Sequence, residues 1–288
     1  MLEFVELTLA SPIAFVRVSS CRRMRLEADG HDLVGIRAAN PSPFTLGGTN
    51  SWLVGHDPTW LIDPGPRLAD HVDALVAEIA ARQGLGGIAL THDHADHSEA
   101  VPALRERFPG VPVAAARGEV DVTLSDGQRF GPLEAVRTPG HAPDHLAYAA
   151  GPVAFTGDAV LGEGSVFIWP YPGALSEYLQ GLERLRQRGL ELLCPGHGPP
   201  VTDPAAKLDE YISHRLDREH RLVQALAQGT RTVDGLLDLV WDDAPAQLRS
   251  AATWTLAAHL DKLDQEGRLP PDVERPELKL PGGARPEP

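Results

Sequence analysis

The 288-residue sequence is short of cysteine, with Cys21 and Cys194 only. Two thiols far apart cannot build a disulfide framework, and neither has a nearby partner for a thiolate zinc site. They are expected to behave as small buried hydrophobes. No apolar run approaches the roughly 18 residues that a membrane-spanning helix needs. The first 25 residues lack the order of a secretory signal, because Glu3 and Glu6 come early and the basic residues late. A cytoplasmic location is the expectation. Positive charge is also scarce: 26 Lys and Arg face 40 Asp and Glu, for a formal net charge of −14. That balance opposes broad adhesion to DNA or anionic membranes, although bound metal ions and a few arginines can reverse the field inside one cleft.

Between about 50 and 200, strand and helix patterns alternate, which argues for an α/β fold. Residues 51–63 read as two strands joined by a turn at His56-Asp57-Pro58. Leu68, Val72, Leu75, Val76 and Ile79 form one stripe of a helix over 68–82, and 88–91 is a short buried strand. A helix over 98–107, a strand over 111–115, strands near 133–138 and 146–157, a helix over 175–188 and a strand over 190–194 follow. Asp203-Pro204 starts a helix running to about Gln228, where Gly229 ends it. Residues 231–269 change character, with helices around 232–240 and 245–265 and a turn at Glu266–Leu269 leading into a strand. The last stretch, rich in Pro and charge, is expected to be disordered or laid over the surface. The expected division is therefore 1–200 for a catalytic domain, 201–230 for a connecting helix, 231–270 for a small helical domain and 271–288 for a tail.

The segment Thr91-His92-Asp93-His94-Ala95-Asp96-His97-Ser98 carries the chemistry. A strand delivers four ligand-type side chains within six positions, just where the chain turns into a helix. Imidazole and carboxylate suit zinc, iron or manganese, and so many polar groups would be costly to bury unpaired. A solvated polar loop is the bland alternative, but short His-rich tracts more often signal metal. His141, Asp158 and His197 sharpen the case. Each sits on a Gly turn after an apolar strand (Leu133–Val136, Val153–Phe155 and Leu190–Leu193), so four strands end by presenting a ligand.

This pattern resembles the metallo-β-lactamase superfamily, whose binuclear members carry His-x-His-x-Asp-His followed by a distant His, Asp and His. The resemblance implies an αββα sandwich holding two divalent ions, zinc first, with iron or manganese as alternatives. His92, His94 and His141 would hold one ion, Asp96, His97 and His197 the other, and Asp158 would bridge them. Asp63 matches an Asp that orients the ligand loop. Paired metals would share a water of lowered pKa that attacks an electrophilic carbonyl or phosphorus. β-Lactam hydrolysis is disfavoured, since true zinc β-lactamases are usually exported and many carry Cys at the bridging position.

Over roughly 35–270 the chain further resembles the endoribonuclease β-lactamase-like protein subgroup. The resemblance lies in Asn40–Asn50, Gly157–Gly164, Tyr211–Arg215 and Arg218-Glu219, and in a helical C-terminal domain similar to that subgroup's winged-helix-like one. Relatives there cleave single-stranded RNA, which makes a zinc-dependent endoribonuclease the leading expectation. It assigns Asp96 and His145 to catalysis, His145 as a proton donor or a turn-closing residue. It assigns Asn50, Arg215 and Arg218 to substrate binding, though the two arginines also read as an ion-paired helix face. Trp169, Tyr171 and Tyr178 would stack on a base, line an apolar acyl pocket or pack beneath a loop. Glu99-Ala100 departs from the Gly-Gly common after the motif and puts a bulkier pair at the cleft rim. The same ligands also serve carbonyl chemistry, so a thioesterase or lactonase acting on a small acyl substrate is the alternative. A non-catalytic nucleic-acid-binding protein with structural metal is a third reading. The acidic 231–269 module gives no reason to expect stable DNA binding.

Overall fold

The computed structural model describes residues 14–18, 21–28 and 30–278. An antiparallel meander comes first: β1 (Ala14–Val18), β2 (Cys21–Ala28), β3 (His31–Arg37), β4 (Asn50–Val54) and β5 (Thr59–Ile62). After helix α1 (Ala69–Ala81) the same sheet continues with parallel neighbours: β6 (Leu85–Ala89), then, past the short helices α2 (Ala95–Ser98) and α3 (Val101–Arg107), β7 (Val113–Ala115) and β8 (Val122–Thr123). The second sheet holds β9 (Arg129–Phe130), β10 (Leu133–Arg137), β11 (Leu146–Ala150), β12 (Val153–Gly157) and, after helix α4 (Ala174–Arg186), β13 (Leu192–Pro195). Helices α5 (Pro204–Ala227), α6 (Val233–Val240) and α7 (Arg249–Gln265) complete the chain, with a 3₁₀ turn at Ala246–Leu248 before α7.

The two sheets stack face to face. Trp52, Ile62 and Leu33 from the first meet Phe155, Tyr148 and Leu146 from the second in one apolar cluster that also takes in Cys194. Each fully buried side chain of this size contributes about 1.5–3 kcal/mol. The outer face of the first sheet packs Leu53, Leu61 and Ile88 against Val72, Leu75 and Ile79 of α1, the stripe read from the sequence. The outer face of the second packs Val136, Ala154 and Leu193 against Tyr178, Leu182 and Leu185 of α4 and against Leu208 and Tyr211 of α5. The result is the expected αββα sandwich. Both cysteines are buried and neither is in a disulfide.

Asp203 caps α5 as expected, accepting from the Ala206 N–H at 3.0 Å. Helix α5 serves two cores. Its first half lies on the second sheet, and its second half packs Leu222 and Leu226 with Leu236 of α6 and Leu256 and Leu260 of α7.

Two expectations change, and one region carried none. The meander β1–β3 is not legible in the sequence, because β2 (CRRMRLEA) carries three arginines and buries Cys21, Met24 and Leu26 at uneven spacing. The helix expected over 98–107 is two short helices broken at Glu99-Ala100. The strand expected after Leu269 does not form among the described residues, so no wing follows α7 there. Prolines at 270, 271 and 276 remove ladder donors, and the segment instead lies across the helical module. Val273 enters its core, and the Glu274 N–H donates to the Arg231 carbonyl at 2.9 Å. Residues 279–288 of the expected tail lie outside the described residues. No described helix is long and apolar enough to cross a membrane.

Candidate metal centre and cleft

Strands β10, β12 and β13 run in one direction, since β11 is antiparallel to both β10 and β12 and β13 is parallel to β12. Their carboxyl ends open at one edge, and the loop after β6 reaches the same edge from the other sheet. Hydrogen bonds stitch the edges together. The Asn50 N–H donates to Gly196 O at 2.7 Å, the Trp52 indole to Pro195 O at 2.9 Å, and the Leu146 N–H to Thr91 O at 2.8 Å. Ligands from both sheets therefore face one point.

The seven predicted side chains meet there. His92 Nε2 lies 2.9 Å from His94 Nδ1, and His141 Nε2 lies 3.1 Å from that same atom. Beside them, His97 Nε2 is 3.4 Å from both His197 Nε2 and Asp96 Oδ2. Asp158 stands between the two groups. Its Oδ1 is 3.4 Å from His97 Nε2, and its Oδ2 is 3.3 Å from His197 and 3.5 Å from His141. Three triads able to hold a cation result: His92–His94–His141, His92–His97–Asp158 and Asp96–His97–His197.

The surrounding hydrogen bonds aim the ring nitrogens. Thr91 Oγ1 donates to Asp63 Oδ2 at 2.7 Å, which leaves its lone pairs to accept from His92 Nδ1 at 2.9 Å. His97 Nδ1 donates to the same carboxylate at 2.8 Å. Both rings thus have their Nδ1 engaged away from the cluster and turn Nε2 inward, where it would ligate once free of a proton. Asp63 adopts φ 51°, an uncommon backbone state for a residue with a Cβ. Three hydrogen bonds to its carboxylate, including one from the Thr91 N–H, hold it there. Gly196 is required by close approach: a Cβ would stand 2.6 Å from Asp158 Oδ1 and 2.7 Å from His97.

Charge fits the same purpose. Burial holds His92 and His94 below the ordinary imidazole range and pushes His141 down to about 3. All three are neutral, the form that ligates metal. Burial opposes charge on His97 and His197 too, but Asp158 outweighs it, aided by Asp63 at His97 and by Asp96 at His197, which is raised to about 9. The carboxylates thus draw positive charge to this point, and a divalent cation would take the place of those protons. Asp158 Oδ1 is buried and without a hydrogen-bond partner, and so is His141 Nδ1. Several neutral imidazoles pointing lone pairs at one another around an orphaned carboxylate oxygen fit a metal and little else.

The remaining predicted residues take different places. Asp96 faces the cleft, with its Oδ2 held by the Thr49 hydroxyl at 2.9 Å. His145 is fully buried: its Nε2 accepts from the Asp158 N–H at 3.1 Å, and its Nδ1 lies 2.9 Å from Thr138 Oγ1. Both of its nitrogens are thus engaged inside the protein, one of them at the Asp158 backbone. Asn50 is fully buried as well and does not line the cleft. Its Nδ2 donates to Pro195 O and Gly198 O, holding the turn that carries His197. Arg215 and Arg218 are buried on one face of α5 and line the cleft. Arg218 forks onto Asp243 at 2.5 and 2.6 Å and also donates to Val240 O. Trp169 lines the cleft, while Tyr178 packs beneath it and donates to Ala159 O at 2.7 Å. The Glu99 carboxylate turns to the Arg67 N–H and lies outside the cleft wall.

Sequence reasoning missed the cleft itself. Its volume is about 1090 Å³, and its walls come from the metal-ligand edge, the loops at 43–46 and 161–169, helix α5 and the 241–255 stretch of the helical module. Phe167 packs on His141 at 4.6 Å between ring centroids, on Phe44 at 6.2 Å and on Trp254 at 5.1 Å. Trp254 in turn meets Trp169 at 5.6 Å. An unbroken aromatic wall therefore runs from a metal-ligand ring to the C-terminal module. Nothing in local periodicity signals it, because Phe44, Phe167 and Trp254 lie far apart along the chain.

Comparison with known proteins agrees with this geometry. The metallo-beta-lactamase superfamily profile matches residues 44–120 and 116–197. The chain is 33% identical over 240 residues to an atrochrysone carboxyl ACP thioesterase of Aspergillus chevalieri, covering 76% of each chain. It is 31% identical over 268 residues to a beta-lactamase-like protein 2 homolog of Drosophila melanogaster, covering 82% of this chain and 89% of that one. Among solved structures, a beta-lactamase domain protein from Burkholderia ambifaria superposes with a TM-score of 0.69 at 20% identity, over 85% of this chain and 88% of that one. With that fold and with histidines and aspartates gathered as a hydrolase needs them, the chain belongs to the metallo-beta-lactamase superfamily.

Proposed function

We propose that the protein is a binuclear metal-dependent hydrolase of acyl thioesters. The observation that carries this reading is the aromatic wall from His141 through Phe167 to Trp254. A wall of this kind gains most from an apolar or aromatic acyl body, and the similarity to a fungal acyl thioesterase supports the same chemistry. His92, His94 and His141 would hold one ion and Asp96, His97 and His197 the other, with Asp158 facing both. When bound, the ions supply a water of lowered pKa and polarise the carbonyl oxygen. Hydrolysis then joins the water oxygen to the carbonyl carbon and breaks the C–S bond, and the departing thiolate takes up a proton. Asp96, ionised under the pull of His197 and His97 despite its burial, would help to hold the second ion and orient the water, whose proton passes to the departing sulfur. The aromatic wall would orient the acyl group and exclude bulk water, and residues 231–270 would serve as the roof of the cleft.

Cleavage of single-stranded RNA has weaker support. Arg215 and Arg218 are buried rather than ranged along an open groove, and the net charge of −14 works against a phosphate backbone. The deciding assay measures thiol release from aromatic and aliphatic acyl thioesters by metal-loaded protein, beside cleavage of a fluorescent single-stranded RNA and opening of simple lactones. Metal-dependent thiol release is the expected result. RNA cleavage without thiol release would replace the thioester reading by the phosphodiester one, and lactone opening alone would move it to lactones.

A further inference from the structure

The cleft contains one cation whose charge the protein does not answer. Arg215 is only 2% exposed, yet it lines the cleft. Its Nη2 donates to Ser165 Oγ at 2.8 Å and to the Val166 carbonyl, and its guanidinium sits 5.5 Å from the centre of the Tyr178 ring. Its Nε is buried without a partner, and no carboxylate of the described residues reaches it within ion-pair distance. Of the carboxylates around it, Asp243 is committed to Arg218, Glu210 to Lys207, and Glu219 to Lys262 and Arg268, while Glu163, on the same cleft, and Asp217, two residues along the helix, make no ion pair with it. The two imidazoles in its neighbourhood add no further positive charge. Burial, with Arg215 and Arg218 beside it, brings His214 down to about 4, and burial with Arg215 and Lys262 nearby holds His259 neutral. A guanidinium shielded from water without a counter-ion is costly. It makes physical sense where a ligand brings the anion.

The position is right for such a ligand. Arg215 lies one turn beyond Tyr211, whose hydroxyl accepts from the Leu161 N–H, three residues after Asp158. Ser165 and Val166, which hold the guanidinium, directly precede Phe167, the ring packed on His141. The cation and the metal-ligand edge thus share one cavity and are joined by one loop.

We propose that Arg215 is the recognition point for an oxyanion carried by the substrate, so that preferred substrates are acyl thioesters bearing a second, negatively charged group. This rests on the acyl-thioester reading above. The oxyanion is a carboxylate on the acyl body or a phosphate on the thiol carrier, since either can accept from the guanidinium N–H groups that the protein leaves unengaged.

The test compares kcat/KM for N-acetylcysteamine thioesters in pairs: half-esters of succinic, adipic and suberic acid against butyryl, hexanoyl and octanoyl. Coenzyme A esters of the same acyl groups form a second arm. Wild-type protein should favour the charged member at one chain length by roughly 10- to 100-fold, the range for a hydrogen-bonded charge. In Arg215→Gln that ratio should fall towards one, and Arg215→Lys should keep part of it. A preference for the coenzyme A ester over the N-acetylcysteamine ester of the same acyl group, lost in Arg215→Gln, assigns the oxyanion to the carrier phosphate. Titration calorimetry with suberate and with inorganic phosphate, on variants shown to be folded by circular dichroism, gives a readout independent of turnover. Arg215-dependent binding without thioester hydrolysis would sink the thioester reading and keep the oxyanion site. Hydrolysis with no charge preference in either arm, or a preference that Arg215→Gln and Arg215→Lys leave intact, would overturn the site and keep the reading.

Discussion

The cleft has two unlike ends. At the metal-ligand end, side chains project from loops at strand carboxyl ends and are fixed by short polar hydrogen bonds: Asp63 to Thr91 and His97, Thr49 to Asp96, His145 to Asp158. At the roof, helices α5 and α7 and the turn between α6 and α7 present the apolar surface of Trp254, Trp241 and Leu248, beside Arg215 and the Arg218–Asp243 pair. One end is built for geometry and the other for area. A reaction needs its attacking and leaving groups held within fractions of an ångström. An apolar pocket tolerates looser fit and selects by size.

The sharpest way to break this division is to remove the residue facing both halves of the metal-ligand end. Asp158→Ala should lower bound metal from two ions per chain and reduce kcat/KM for thioesters by about 10³-fold or more. Elemental analysis of the purified variant beside its kinetics checks this. Full metal content with full activity would show that Asp158 is merely a loop residue.

The supports of that same end also carry a pH signature. His71 is buried behind the first sheet, with its Nε2 2.9 Å from Ser51 Oγ, next to Asn50. Burial lowers it from 6.5 to about 4, so the folded state resists its protonation. A depressed imidazole contributes stability that is complete above pH 6.5 and is lost as pH falls from there through about 4. The loss attributable to this one ring is about 3 kcal/mol. Urea unfolding at several pH values should show His71→Gln with a flatter profile than wild type over that window. Parallel profiles would mean that His71 titrates alike in both states.

The two ends also differ in how far the sequence betrays them. Seven ligand-type residues gathered where apolar strands end mark the metal end from sequence alone, because a polar cluster at such places has few other physical reasons to exist. Their supporting partners are less visible. His145 and Asn50 look like site residues in sequence, yet both turn their polar atoms to backbone groups inside the protein. The spacing of residues records nothing about which way a side chain faces across a loop. The roof reads as a helical module but not as a wall of the cleft, since Phe44, Phe167 and Trp254 meet only through tertiary packing. Strand β2 stays hidden for a related reason. Its arginines reach solvent or partners such as Glu78, and a strand with arginines at three of its first five positions does not look half-buried.

Trp254→Ala sharpens the contrast from the other side. Losing an aromatic surface from an acyl pocket should raise KM for bulky acyl thioesters by about 10-fold, with metal content and kcat on short acyl groups little changed. Steady-state kinetics over a chain-length series distinguishes this from damage at the metal end. A uniform fall in kcat across the series would show that the roof shapes the chemistry as well.

The smallest effect is expected where the roof is held from outside. Arg249, at the first position of α7, pairs with Asp234 at 3.0 Å and Asp238 at 2.8 Å of α6, and all three side chains are largely exposed. Water competes for each charge there and salt screens it, so the pairs add little to stability. A few residues along the same helix, Leu256 is fully enclosed among α5, α6 and α7. Its replacement by Ala removes buried area and leaves a void worth about 2–5 kcal/mol. Thermal melts should therefore show Arg249→Ala within about 2 °C of wild type, and Leu256→Ala lower by roughly 5–10 °C. Equal losses would mean that α6 is clamped to α7 by its surface charges, and the roof would then loosen as ionic strength rises. An unequal result in the stated direction means that the roof keeps its place over the cleft by packing rather than by its surface charges.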